Sequence, residues 1–157
     1  MHDLLPAVEK NAREISKKAA RALGILGAAE STPGPALYHQ VIREVADLRQ
    51  AWMKHVRLLS QACPLISPDN DRMAIVVLRQ FEHDIADTSQ WLETLSTVGW
   101  ARTPEIGVNS LRVRVAQTLA TVLRQMDKER TIIVPMLRRG VARKMESLPI
   151  AKRMATA

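Results

Sequence analysis

Residues 35–62 read PALYHQVIREVADLRQAWMKHVRLLSQA, and this stretch indicates the fold class. Its apolar side chains recur every three or four residues, the spacing that places side chains on one face of an α-helix. The stripe comprises Leu37, Val41, Val45, Leu48, Trp52 and Leu59. A helix with one apolar stripe needs other elements to bury it, so the stretch predicts packed helices.

Three further stretches show the same periodicity, at residues 4–26, 69–98 and 105–138. Pro-, Gly- or Asp-containing breaker segments separate the four stretches, at residues 31–35, 63–71 and 99–104. Such connections are too short to run back along a long helix, so consecutive helices should be antiparallel neighbours. The sequence therefore predicts an all-α protein, an up-down-up-down antiparallel four-helix bundle over residues 1–140.

Local signals refine these boundaries. Gly24 and Gly27 favour an end of the first helix near Leu26, and Asp69 or Asp71 can cap the third. Pro135 is expected to kink or close the fourth helix. Residues 141–157 then form a basic C-terminal tail, with a short helix before Pro149 and a frayed end.

Composition narrows the class of protein. The chain has 157 residues, of which 46% are hydrophobic and 25% charged, as expected for one globular domain. Its single cysteine rules out an intramolecular disulfide. We find no signal peptide and no apolar run of the roughly 18 residues that a membrane-spanning helix needs. These features predict a cytoplasmic protein without a membrane span.

Two ionisable side chains fall on the predicted apolar stripes. His55 lies between Trp52 and Leu59 on the second helix, and Glu129 lies between Met126 and Ile133 on the fourth. A buried carboxylate is costly unless it is paired or binds a cation. We expect the two side chains to face each other and form a hydrogen bond. One alternative is that they bind a metal ion. The other is that the two helices are slightly rotated, so that both side chains reach solvent.

A second histidine offers a possible surface site. His83 and Asp87 are spaced to share one helical face, and such a pair can hold a metal. His83 falls roughly opposite Ile85 on the helix, so we expect it to face water. Glu82 lies nearer the core margin.

The segment from Leu123 to Leu137 resembles the closing helix of hemerythrin-like (HHE cation-binding) domains. That helix typically carries a histidine, then Glu-Glu, an aliphatic pair, Pro and Leu; Glu129 and Pro135 stand at matching spacing, and Gln125 stands at the histidine position. Glu82-His83 before Ile85 resembles the third helix of the family, and His55 before Pro64 loosely resembles the second. The resemblance implies a four-helix bundle built around a non-haem di-iron centre.

The chain departs from that family in its ligand set. The family's centre resembles a ring of about five histidines and two carboxylates, whereas this chain has 4 histidines in all. Residue 59 is Leu where the family has Glu. We expect at most one weakly held cation, at His55, Glu129, Gln125 and Glu82. The expected function is a non-catalytic interaction or regulatory module without a cofactor, and the alternative is an iron-binding oxygen or redox sensor.

No catalytic motif supports an enzyme. The chain has no Gly-rich phosphate loop and no nucleophile elbow, and Cys63 beside Pro64 is typical of a small apolar residue at a helix end. A phosphotransfer module would need an exposed histidine near a glycine, and the residues after His55 lack the glycine.

The partners expected from sequence are an unidentified protein or a second copy of the chain. The net charge of +7 also suggests an adaptor for nucleic acid or an acidic partner. Its basic patch would comprise Arg138, Arg139, Arg143 and Lys144. Aromatic residues make up only 3% of the chain, so few side chains can stack on bases, and this argues against nucleic acid.

Overall fold

The computed structural model describes residues 4–31, 35–66, 72–97 and 105–146. Its helices are α1 (Leu4–Ser31), α2 (Pro35–Ala62), α3 (Arg72–Thr97), α4 (Glu105–Lys128) and α5 (Val134–Glu146). A short 3-10 turn, Cys63–Leu65, follows α2, and a π-helical segment, Glu129–Ile133, joins α4 to α5. The described residues contain no strand. The predicted all-α four-helix bundle is confirmed.

Each long helix packs on two others. α1 contacts α2 and α4, and α3 completes the ring by contacting the same two helices. The core between them divides into two apolar clusters. The large cluster includes Ile15, Trp52, Leu92 and Met126. The small cluster includes Val8, Leu59, Phe81 and Ile133. It therefore joins the start of α1 and of α3 to the ends of α2 and of the fourth helical stretch.

The predicted end of the first helix was wrong. α1 continues past Gly24 and Gly27 to Ser31. Apart from the neighbouring residues and backbone of α1 itself, no described atom lies within 4 Å of where a Cβ would stand at either glycine. Both glycines are on the exposed side, so they do not interrupt the apolar stripe that ends in buried Leu26. The continuing burial of this stripe outweighs the modest helix-breaking tendency of glycine.

The last helical stretch also runs farther than predicted. It does not close at residue 138 or at the expected boundary at 140, because α5 reaches Glu146 without a break and includes the short helix predicted before Pro149. At Gly140, α5 passes so close to the turn after α2 that an added Cβ would lie 2.0 Å from the carbonyl oxygen of Leu65. Only glycine permits this approach. The possible N-caps Asp69 and Asp71 and the tail from residue 147 lie outside the described residues.

Candidate functional site

The predicted pairing of His55 with Glu129 is confirmed. The Nε2 atom of His55 lies 2.6 Å from Oε2 of Glu129, and both side chains are 0% exposed. The pair therefore forms a hydrogen bond between α2 and the π segment in the centre of the bundle. Trp52 closes one side, with its ring centroid 6.4 Å from that of His55. Without water, each partner depends on the other for its hydrogen bond.

Glu129 lies at the start of the π segment, and Pro135 supplies a physical reason for that segment. Proline has no N–H to donate to the carbonyl four residues before it. The helix instead widens locally, and the N–H of Val134 donates to the carbonyl of Glu129, as a π-helix requires. The inserted residue leaves Ile133 and Val134 both buried. It also makes Leu137 the next buried residue, while Met136 is only partly buried.

The pair belongs to a larger group of buried polar side chains, which we call the polar layer: Asn11, His55, Gln125 and Glu129. Along α1, Asn11 separates Val8 of the small cluster from Ile15 of the large one. His55 and Glu129 occupy the equivalent positions on their own helices. Asn11, His55 and Glu129 therefore lie at the boundary between the two apolar clusters of the core.

Sequence reasoning missed Asn11. Ala12 is only partly buried, whereas Asn11 is 3% exposed and takes the core position. Spacing alone fits both residues, because Asn11 is three residues from Val8 and four from Ile15, and Ala12 is four from Val8 and three from Ile15. A small polar residue at such a position is a candidate member of a core polar group.

Several atoms of the polar layer have no hydrogen-bond partner among the described residues. They are both amide atoms of Asn11, Nδ1 of His55, Nε2 of Gln125 and Oε1 of Glu129. The set offers amide donors, a carboxylate acceptor and an imidazole nitrogen that can act as either. These atoms can form hydrogen bonds to a small polar group between the helices. Because buried polar atoms without hydrogen bonds cost free energy, substitutions in the polar layer should change the stability of the bundle.

The residues brought together do not fit a di-iron centre. Gln125 is buried as expected, but Glu82 is exposed, and the prediction that it points inward was wrong. Phe81 takes the inward position on α3, and the adjacent residue is turned by ~100° from it. Across the described ranges, no three His, Cys, Asp or Glu side chains converge in a way that could hold a metal ion.

The proposed surface site is solvent-exposed, as predicted for His83. The Nε2 atom of His83 lies 3.6 Å from Oδ2 of Asp87, and both side chains are more than half exposed. A two-residue pair on an open helix face provides few ligands for a cation, which would remain largely hydrated there. Its neighbour Asp84 instead bridges to Lys128 of α4 at 2.5 Å.

The basic patch is dispersed over α5. Arg138 donates to Glu9 of α1 at 2.7 Å, which ties the patch's first residue to the bundle. Arg139, Arg143 and Lys144 are exposed. The patch is therefore an exposed helical surface whose first cation, Arg138, is already paired with a carboxylate.

Cys63 is half-buried and begins the 3-10 turn that follows α2. Burial, reinforced by the nearby charges of Glu82 and Glu129, raises the pKa of the Cys63 thiol to about 11. The thiolate is the nucleophilic form of cysteine. At neutral pH Cys63 is therefore a protonated, weakly reactive side chain.

Comparison with protein-family models, with curated proteins and with solved structures returns no match. Among the helices in the described ranges, none is long and apolar enough to cross a membrane.

Proposed function

We propose that this chain is a hemerythrin-like four-helix module that has lost its di-iron chemistry and acts by binding a protein partner, in the cytoplasm. The polar layer is the observation that carries the first part of this proposal. Its only ionisable members, His55 and Glu129, use one atom each to hold the other at 2.6 Å. Its other members are the amides of Asn11 and Gln125, which are weaker ligands than carboxylate or imidazole.

The start of α3 supports the second part. The run from Met73 to Leu78 is apolar throughout, so no face of that helical segment is polar. Val77 and Leu78 pack against the small cluster, while Met73 is 70% exposed and Val76 is 59% exposed. Neighbouring apolar side chains left on the surface are typical of a protein interaction site.

The first experiment measures metal content. Protein purified without chelators, and again after loading with ferrous iron under anaerobic conditions, is analysed by elemental analysis and absorption spectroscopy. We expect less than one iron per chain and no near-ultraviolet charge-transfer band. About two irons per chain, with a band that disappears in Glu129→Ala, would overturn the proposal and make an oxygen or redox sensor the better interpretation.

The second experiment tests the interaction surface. Met73→Glu/Val76→Glu places charge on the exposed start of α3, and Val113→Glu is the matched control because Val113 is a similarly exposed apolar residue on α4. Light scattering after size-exclusion chromatography reports self-association, and quantitative capture reports other partners. We expect binding that Val113→Glu retains and the double variant loses. Identical behaviour of all three proteins would contradict this surface.

A further inference from the structure

A groove on the side of the bundle between α3 and α4 has the features of a small-molecule site. Its volume is about 550 Å³, within the range of about 300–1,000 Å³ common for ligand sites. It lies apart from the apolar start of α3. Its lining combines a tryptophan, two arginines and the edge of the polar layer.

The polar layer reaches this groove at Gln125. Gln125 lines the groove although it is only 5% exposed, and its Nε2 atom lacks a partner among the described residues. Thr88 and Thr118 also line the groove, and each donates its hydroxyl hydrogen to a carbonyl of its own helix. The Nε2 hydrogens of Gln125 are therefore donors without an acceptor among the described residues, and an oxygen atom of a ligand in the groove can accept from them.

The charges of the lining favour an anion. Asp84 is already paired with Lys128. Asp87 remains a carboxylate in the lining, because His83, 3.6 Å away, balances its charge only when protonated. Arg114 and Arg124 line the groove, and neither forms an ion pair with a carboxylate in the described parts of the chain. These two arginines outnumber Asp87, the lining carboxylate that has no lysine or arginine partner among the described residues, so a local excess of positive charge remains. Guanidinium groups match carboxylates well.

Trp91 supplies a flat apolar surface. It lines the groove and is 49% exposed, so one part of its ring system is open to contact. A planar ligand ring can stack on an exposed indole, and this contributes more than its buried area alone.

The register of the two helices places these groups together. The Asp84–Lys128 contact marks one level of the groove. Trp91 lies about two turns along α3 from that level, or ~10 Å. Because α4 runs antiparallel to α3, the level of Trp91 on α4 is found about two turns before Lys128, at Thr121. Arg124 lies next to this level and donates a hydrogen bond to the Thr121 hydroxyl at 3.0 Å. Trp91 and Arg124 therefore occupy neighbouring levels, whereas Arg114 lies about two turns farther away.

We propose that this groove binds a small planar anion of the aromatic carboxylate type. Its ring stacks on Trp91, and its carboxylate accepts hydrogen bonds from Arg124 and Gln125. Arg114 contributes mainly to the attractive field at the far end. This binding activity goes beyond the proposed protein interaction and uses a different surface.

The test uses 2-naphthoate as the probe and 2-naphthamide as its neutral counterpart of nearly the same shape, with binding followed by NMR titration of the full chain. Arg124→Gln and Trp91→Leu alter the site, Arg114→Gln alters its far end, and Arg57→Gln is the control at an exposed arginine on α2. The three arginines are exposed and Trp91 is half exposed, so none of the four substitutions alters the core. Circular dichroism should therefore show that each variant is folded.

We expect saturable naphthoate binding, about tenfold weaker for the amide and for Arg124→Gln because a charge-assisted hydrogen bond is lost. Trp91→Leu should also weaken binding, Arg114→Gln should have a smaller effect, and Arg57→Gln none. Equal affinity for acid and amide, equal effects of Arg124→Gln and Arg57→Gln, or no saturable binding at millimolar naphthoate would each overturn the proposal.

Discussion

Breaking the buried pair of His55 and Glu129 should be strongly destabilising, whereas removing both partners should not. The two side chains are fully buried and separated by 2.6 Å. Glu129→Met keeps the side-chain volume and leaves the imidazole without its partner, and His55→Leu leaves the carboxylate alone in the core. Removing one member of a buried pair typically costs about 3–5 kcal/mol, because the other remains buried and unpaired.

The double variant His55→Leu/Glu129→Met isolates the cause. With neither polar group present, the penalty of an unpaired partner disappears, and the free energy of unfolding should return to within about 1–2 kcal/mol of the parent. The apolar replacements would also join the two clusters of the core. A domain of this kind has a total stability of about 5–15 kcal/mol, so each single variant should lose a large and easily measured fraction.

Urea unfolding followed by circular dichroism and by tryptophan fluorescence measures all four proteins. Asp127→Asn is the control, because Asp127 pairs with Arg130 at 2.6 Å on the same helical stretch but both side chains are exposed. It should cost less than about 1 kcal/mol. The reasoning is refuted if the double variant loses as much as the sum of the two single variants, or if Glu129→Met costs no more than Asp127→Asn.

Three further predictions follow from local geometry and charge. Gly24→Ala should raise the free energy of unfolding by about 0.5–1 kcal/mol, because that glycine is in an open, mid-helix position. Gly140→Ala should lower the free energy of unfolding by about 1–3 kcal/mol, because the added Cβ would meet the backbone of Leu65. Thermal unfolding of both variants tests whether the two changes have opposite signs. Burial tends to raise the pKa of Asp84, but its hydrogen bonds with Lys128 and Gln80 outweigh this and hold the pKa below its ordinary value. The carboxylate therefore adds stability above the unfolded-state pKa of about 3.9, and this contribution is lost as the pH falls through the lowered folded-state pKa. Asp84→Asn should cost up to about 1 kcal/mol at pH 7 and nothing in strong acid, and a difference that persists in acid would contradict the assignment. With the pKa of Cys63 raised to about 11, iodoacetamide at pH 8 should alkylate the native thiol roughly a hundredfold more slowly than the urea-unfolded thiol; equal rates would show that the native thiol is not perturbed.

Part of the candidate site could be read from sequence because helical periodicity reports which face a residue occupies. His55 and Glu129 each interrupt an apolar stripe, so their burial and their pairing were predictable from two local patterns. Gln125 was assigned inward from its place in the hemerythrin-like segment. Glu82 was misplaced and Asn11 overlooked, because a residue at the margin of a stripe changes face with a small helix rotation. That rotation is set by how neighbouring helices pack.

The class of fold and the number of long helices were predictable from sequence, since the spacing of apolar residues along one segment can be recognised without knowledge of the others. The contacts between residues on different helices became known only from the tertiary structure. It placed His55 and Glu129, 74 residues apart, in one hydrogen bond, and it brought Gly140 against Leu65. It also assembled the groove between α3 and α4 from residues that no local pattern connects. Contacts of this kind depend on helix rotation, register and close approach, which are set by the packing of the whole core rather than by any single stretch.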